Sequence, residues 1–227
     1  MLPIALLLLG LADPLETPQL GCVLDRHAEL RPLWGVRGAF VLGAQTADSI
    51  GSFASNATVT VAAGSAGLWL PGRNRLEARA DWVALSDSAG WVWTYRRETN
   101  ELLAWFDAVP ERVAAPPGLV LAVGGPVDEP VFGISTGEGL WLANRQGLTR
   151  FLGPAEHAVV LEGKQLVWSQ GPELHSFSGH QQFEEPIVHL WRAGRNLVQV
   201  RLESGRSWLA EPATPNGWTL FAVPEEE

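Results

Sequence analysis

The chain has one cysteine, Cys22, in 227 residues, so neither an intrachain disulfide nor a cysteine-built zinc cluster is possible. Lysine is also nearly absent: Lys164 stands against fifteen arginines, and the net charge is −9. Phosphate backbones need concentrated Lys and Arg, so nucleic acid is excluded as a general partner. The arginine bias reads as codon usage in a GC-rich genome, with arginine recognition of carboxylate or phosphate as the sharper alternative. The longest apolar run, residues 1–12, falls short of the roughly 20 residues of a membrane helix, so no transmembrane span is expected. No stretch keeps a 3.6-residue apolar period over ten or more positions. Gly-x-Gly-x-x-Gly, a phosphate-binding loop, Gly-x-Ser-x-Gly and His-Glu-x-x-His are all missing. The sequence therefore specifies no reaction: no catalytic residue is assigned and no cofactor is expected.

What is present is strand. Hydrophobic residues make up 46% of the chain and charged residues 18%, enough to build a core and too apolar for disorder. Short runs of Val, Leu, Ile, Trp and Thr alternate with Gly, Asn, Asp, Ser and Pro, the mark of strands and tight turns. Eleven tryptophans accompany one tyrosine. Six aromatics, Trp34, Trp69, Trp105, Trp141, Phe177 and Trp208, follow one another at steps of 35, 36, 36, 36 and 31 residues. The stretches 66–71 and 138–143 are near-twins, Ala-Gly-Leu-Trp-Leu-Pro and Glu-Gly-Leu-Trp-Leu-Ala. A period of this kind signals one supersecondary unit built repeatedly. The unit is legible at 82–114 as a meander of four strands. The periodic aromatic is expected on its third strand, packed between neighbouring units, so Trp141→Ala is expected to cost about 3–5 kcal/mol.

The ends complete the pattern. Segments near 21–25, 30–34 and 40–42 read as the last three strands of a unit without its first, and 217–223 reads as a first strand with nothing after it. Joining them would close a ring and remove exposed sheet edges. On repeat length, strand order and this split unit, residues 21–223 resemble the bacterial β-propeller repeat proteins, in the broad sense that includes WD-repeat blades. The recurring Trp-Asp of WD repeats is absent, and Ser86-Asp87-Ser88-Ala89-Gly90-Trp91 is only a partial Asp-box, read as a hairpin turn. The resemblance implies an all-β, six-bladed β-propeller closed by the C-terminal strand. Five blades with an N-terminal extension is the alternative, and a two-sheet sandwich comes third.

In a propeller the loops entering each first strand gather at the mouth of the central channel. Those positions give a candidate ligand-binding set: Asp81, Glu156, His157, Glu185 and Asn216. Carboxylates, an imidazole and an amide from separate blades suit a divalent cation. The set is similar in kind to that of the gluconolactonase and regucalcin group, which implies, as an alternative to a non-catalytic protein, a metal-assisted hydrolase or lactonase. The competing reading is that loops are polar because water is there. His189 is expected to make a hydrogen bond between blades, and Arg96-Arg97 to form a solvated turn.

Residues 1–12 have the length of a secretory leader, though without a basic front end. The expected layout is a signal peptide over 1–12, a linker over 13–20, one propeller over 21–223 and an acidic tail over 224–227. Localisation would be periplasmic or secreted, or cytoplasmic if 1–12 is not a signal. The function expected is recognition or scaffolding by a monomer, with a protein or glycan as partner.

Overall fold

The computed structural model describes residues 18–36, 39–70, 76, 78–106, 109–213 and 217–223. The expected signal, most of the linker, Asn216 and the acidic tail lie outside the described residues. The described chain is all strand apart from one short 3-10 turn, and successive strands are antiparallel neighbours. The first three, β1 (Gln19–Leu24), β2 (Leu30–Val36) and β3 (Ala39–Leu42), form a sheet of their own. Next come β4 (Ile50–Ser55), β5 (Thr60–Gly64) and β6 (Gly67–Trp69). Three four-stranded meanders follow. One comprises β7 (Trp82–Leu85), β8 (Val92–Arg96), β9 (Glu101–Trp105) and β10 (Pro110–Val113). The next comprises β11 (Leu119–Gly124), β12 (Val131–Thr136), β13 (Gly139–Asn144) and β14 (Gly147–Gly153). The third comprises β15 (His157–Leu161), β16 (Gln165–Gln170), β17 (Glu173–Ser176) and β18 (Gly179–Gln182). The last strands are β19 (Ile187–Arg192), β20 (Val198–Leu202), β21 (Ser207–Ala213) and β22 (Gly217–Ala222).

The ring is a β-propeller of four sheets, so neither the expected six blades nor the alternative five describes it. The difference arises at one junction. Strand β19 pairs in parallel with β4, Arg192 opposite Ala54, which fuses the last meander with β4–β6 into one seven-stranded sheet. That double-width blade presents two inner strands to the axis, while each four-stranded blade presents one. The inner strands β4, β7, β11, β15 and β19 touch in cyclic order.

The C-terminal strand does not close the ring with the N-terminal segment. It pairs with β21, Leu209 opposite Phe221, as an ordinary fourth strand. The chain ends still meet, by another route. Sheet β1–β3 abuts β19 and β20: the Cys22 N–H donates to the Ala193 carbonyl at 3.1 Å. The buried Gln199 amide accepts from the Leu24 N–H at 2.8 Å and donates to the Leu24 carbonyl at 2.6 Å, imitating a strand partner. Gly21 makes this approach possible, because a Cβ there would lie 1.8 Å from the Ala193 carbonyl oxygen.

Between blades the core is aliphatic as much as aromatic. Leu68, Phe132, Ile134, Leu140 and Leu166 are fully buried. The periodic aromatics are not a buried ladder: Trp105 is buried, Trp34, Trp69, Trp141 and Trp208 are half-buried, and Phe177 is exposed. Pleating explains it, since Leu140 and Trp141 face opposite sides of β13 and Leu140 takes the interior. Among the described residues no helix is long and apolar enough to cross a membrane.

Candidate functional site

Five inner strands around an axis leave a cavity of about 340 Å³. Its walls mix polar and apolar surface, with Trp82, Ala84, Leu121 and Val159 among the half-buried lining residues. The rings of His157, His189, Trp191 and Phe53 follow one another along one side, with centroids 5.8, 5.0 and 5.8 Å apart.

Three of the five residues expected at the mouth are there: Asp81, Glu156 and His157 all line this cavity. Asp81 accepts a hydrogen bond from the Arg97 N–H at 2.6 Å, which fixes the β8–β9 turn over the opening. Glu156, exposed just before β15, is held through its backbone, donating to the Ser169 carbonyl at 2.9 Å. Glu185 is elsewhere. Its carboxylate accepts from the Ser204 N–H at 2.9 Å and from Arg206 at 2.5 Å. These bonds from Ser204 and Arg206 hold its pKa down to about 2. Asn216 lies outside the described residues. Among the described residues no three of His, Cys, Asp and Glu come together as metal ligands.

Two further residues belong to the mouth. Arg97 sits exposed in a turn, as expected, and also lines the cavity. His189 makes no interblade hydrogen bond among the described residues; its exposed ring stacks on Trp191 at an interplanar angle of 28°. A meander supplies the missing signal, because the turn after a second strand lies at the same end as the entry to the first. Burial holds both His157 and His189 below their usual range, with further lowering of His157 by His189 and Arg97 and of His189 by Arg201; Glu156 opposes this at His157. His175, on β17, is lowered by burial as well.

These shifts fix a sign for stability. Below about pH 6.5 the unfolded chain takes up protons that the folded chain still refuses, so acidification favours unfolding. Stability is fully present above pH 6.5 and is lost as pH falls toward the lowered folded values. Urea melts at pH 7.5 and 5.5 should show lower stability at 5.5, and His157→Asn should reduce that difference. An unchanged difference in the variant would remove His157 from the account.

The opposite end of the cavity is crossed by a polar network. Arg192, only 4% exposed, places Nη1 3.7 Å from Asp87 Oδ1 and Nη2 4.0 Å from Glu162. The Gly163 N–H donates to Asp87 Oδ2 at 3.1 Å, and the Asp87 N–H donates to the Gly125 carbonyl at 3.1 Å. Residues from all four sheets of the ring thus meet at this end. The cavity opens toward Asp81, Arg97, Glu156, His157 and His189.

A second feature lies at the outer edge. Trp168, His175 and His180 are cross-strand partners on β16, β17 and β18, and their rings form a row with centroids 5.5 and 6.1 Å apart. Exposed Phe177 joins Trp168 at 5.9 Å, and the guanidinium of Arg150 on β14 sits 4.9 Å above the Phe177 ring. The row therefore sets the exposed Phe177 and His180 over the buried Trp168 at the seam between two adjacent blades, the outer groove.

No family model and no curated protein matches the sequence. The fold does have counterparts among solved structures. The β-propeller domain of Cps50 (Swd1) from Myceliophteria thermophila superposes with a TM-score of 0.51 at 13% identity, over 93% of this chain and 89% of that one. The WD40 β-propeller domain of Doa1 gives a TM-score of 0.51 at 8% identity, over 92% and 83%. At such identities the likeness is one of fold.

Proposed function

We propose that this chain is a non-catalytic recognition module that docks a protein partner in the groove between the β11–β14 and β15–β18 blades. The observation that carries this is the row Trp168–His175–His180 with exposed Phe177 and Arg150 over it. Aromatics beside an arginine are the composition of binding hot spots, and here the exposed rings of Phe177 and His180 stand over the buried Trp168 beside Arg150. The fold likeness supports the reading, since WD40 propellers are typically protein-interaction scaffolds. Arg150 favours a partner that brings a carboxylate to the groove beside an apolar anchor. Export to the periplasm or cell surface is part of the proposal and rests on the apolar run at 1–12.

The test is affinity capture from the envelope fraction of the protein's own cells, with wild type beside a Phe177→Ser, Arg150→Glu double variant. Both residues are exposed, so the variant is expected to keep the wild-type melting temperature. A protein retained by wild type and lost by the variant is the expected result. Equal recovery by both would place docking elsewhere, and a partner confined to the cytosol would overturn export.

A further inference from the structure

The mouth of the central cavity holds polar side chains that make no hydrogen bond to a described residue. Asp81 is engaged by the Arg97 N–H, but the Arg97 guanidinium, the Glu156 carboxylate and the imidazoles of His157 and His189 make no hydrogen bond to a described residue. All four line the same opening. Polar groups on a surface are ordinary; groups of both signs, converging on a cavity with apolar wall behind them, are the arrangement of a ligand site.

We propose that this mouth binds a free α-amino acid with an apolar or aromatic side chain. The chemistry follows from the charges. A simple anion drawn to Arg97 would meet Glu156, and a simple cation drawn to Glu156 would meet Arg97. A zwitterion satisfies both, with its carboxylate on the Arg97 guanidinium and its ammonium on Glu156. The two imidazoles offer neutral donors and acceptors beside these charges. Arg201 lies over Trp191, 5.1 Å from its ring, and its charge reaches His189, so the carboxylate end is favoured on the His189 side.

Depth sets the side chain. Beyond the polar rim the half-buried apolar residues Trp82, Ala84, Leu121 and Val159 line the wall, and the network of Arg192 with Asp87 and Glu162 lies across the other end. A cavity of about 340 Å³ is at the small end of ligand pockets, matching one amino acid better than an extended peptide. The site is separate from the outer aromatic groove and does not depend on the docking reading.

The test is isothermal titration of the full chain with L-phenylalanine and L-leucine, beside phenylacetate, phenethylamine, L-aspartate and L-lysine. Binding of L-phenylalanine or L-leucine at least about tenfold tighter than the four controls is expected. Arg97→Ala and Glu156→Gln, both at exposed positions, should each weaken it about tenfold or more while leaving the melting temperature unchanged. No heat with either amino acid up to about 10 mM would overturn the proposal. So would phenylacetate binding as well as L-phenylalanine, which would mark an anion site, or binding unaffected by both variants. The Phe177→Ser, Arg150→Glu double variant should bind the amino acid normally, which keeps this result distinct from that of partner capture.

Discussion

Asp87→Ala should destabilise the protein by about 3–5 kcal/mol, the cost of stranding a buried charge. For a chain of this size that is a fall in melting temperature on the order of 10 °C. The charge stranded is Arg192, which is 4% exposed and whose pKa is lowered by burial, with Asp87 and Glu162 working against that. Glu162 cannot replace Asp87: it is itself 46% exposed and stands 4.0 Å from Nη2. The substitution also removes the acceptor of the Gly163 N–H, so the β7–β8 turn loses its tie to the turn after β15. Removing the other partner has a different consequence. Arg192→Met keeps an unbranched chain of similar length and removes the charge that is hard to bury, while Asp87 keeps its bond from Gly163. Only replacement of a whole buried pair is often close to neutral, so Arg192→Met has its own cost, but the carboxylate it leaves is 15% exposed and still hydrogen-bonded, whereas the guanidinium left by Asp87→Ala is 4% exposed. Urea unfolding of the two variants should therefore rank Asp87→Ala well below Arg192→Met, and in the double variant most of the Asp87 penalty should vanish. Equal losses in the two single variants would show that the pair acts through its geometry and not through the buried charge.

Asp87 also marks the boundary of what the sequence discloses. Ser86-Asp87-Ser88-Ala89-Gly90 reads as a hairpin turn and is one, with Gly90 at φ 80°. Nothing local says that its carboxylate faces an arginine from another sheet. The one available signal is Arg192 itself, a charge ending the run 187–191, apolar but for His189, where a strand end should still be buried. Strands were legible because turn chemistry and apolar runs are local properties. The mouth residues Asp81, Glu156 and His157 were legible because the meander dictates which loops share an end. Glu185 obeys the same topology yet turns outward, since Ser204 and Arg206 offer it three hydrogen-bond donors. Sheet count was not legible. It depends on whether β19 and β4 approach closely enough to pair, a contact between residues far apart in the chain that leaves the 36-residue period untouched.

The repeated Gly-Leu-Trp-Leu stretch yields the second large effect, and its outcome separates period from burial. Leu140→Ala should cost about 2–5 kcal/mol, because Leu140 is wholly buried among Ala122, Val160, Leu166 and Trp168, which no small shift can bring together over the lost volume. Trp141→Ala should cost only about 1–2 kcal/mol, below the figure expected of a fully buried tryptophan. Trp141 is half-buried, and its ring lies 5.1 Å from that of Phe151, which is itself 48% exposed. What the variant loses is one aromatic pair and part of a covered surface, and water can fill the place. Chemical denaturation of the two variants checks the order directly. The larger loss in Trp141→Ala would restore the aromatic ladder as the element that holds neighbouring blades together. The larger loss in Leu140→Ala would mean that the tryptophan recurs because the repeat does, while the leucine beside it carries the packing between the β11–β14 and β15–β18 blades.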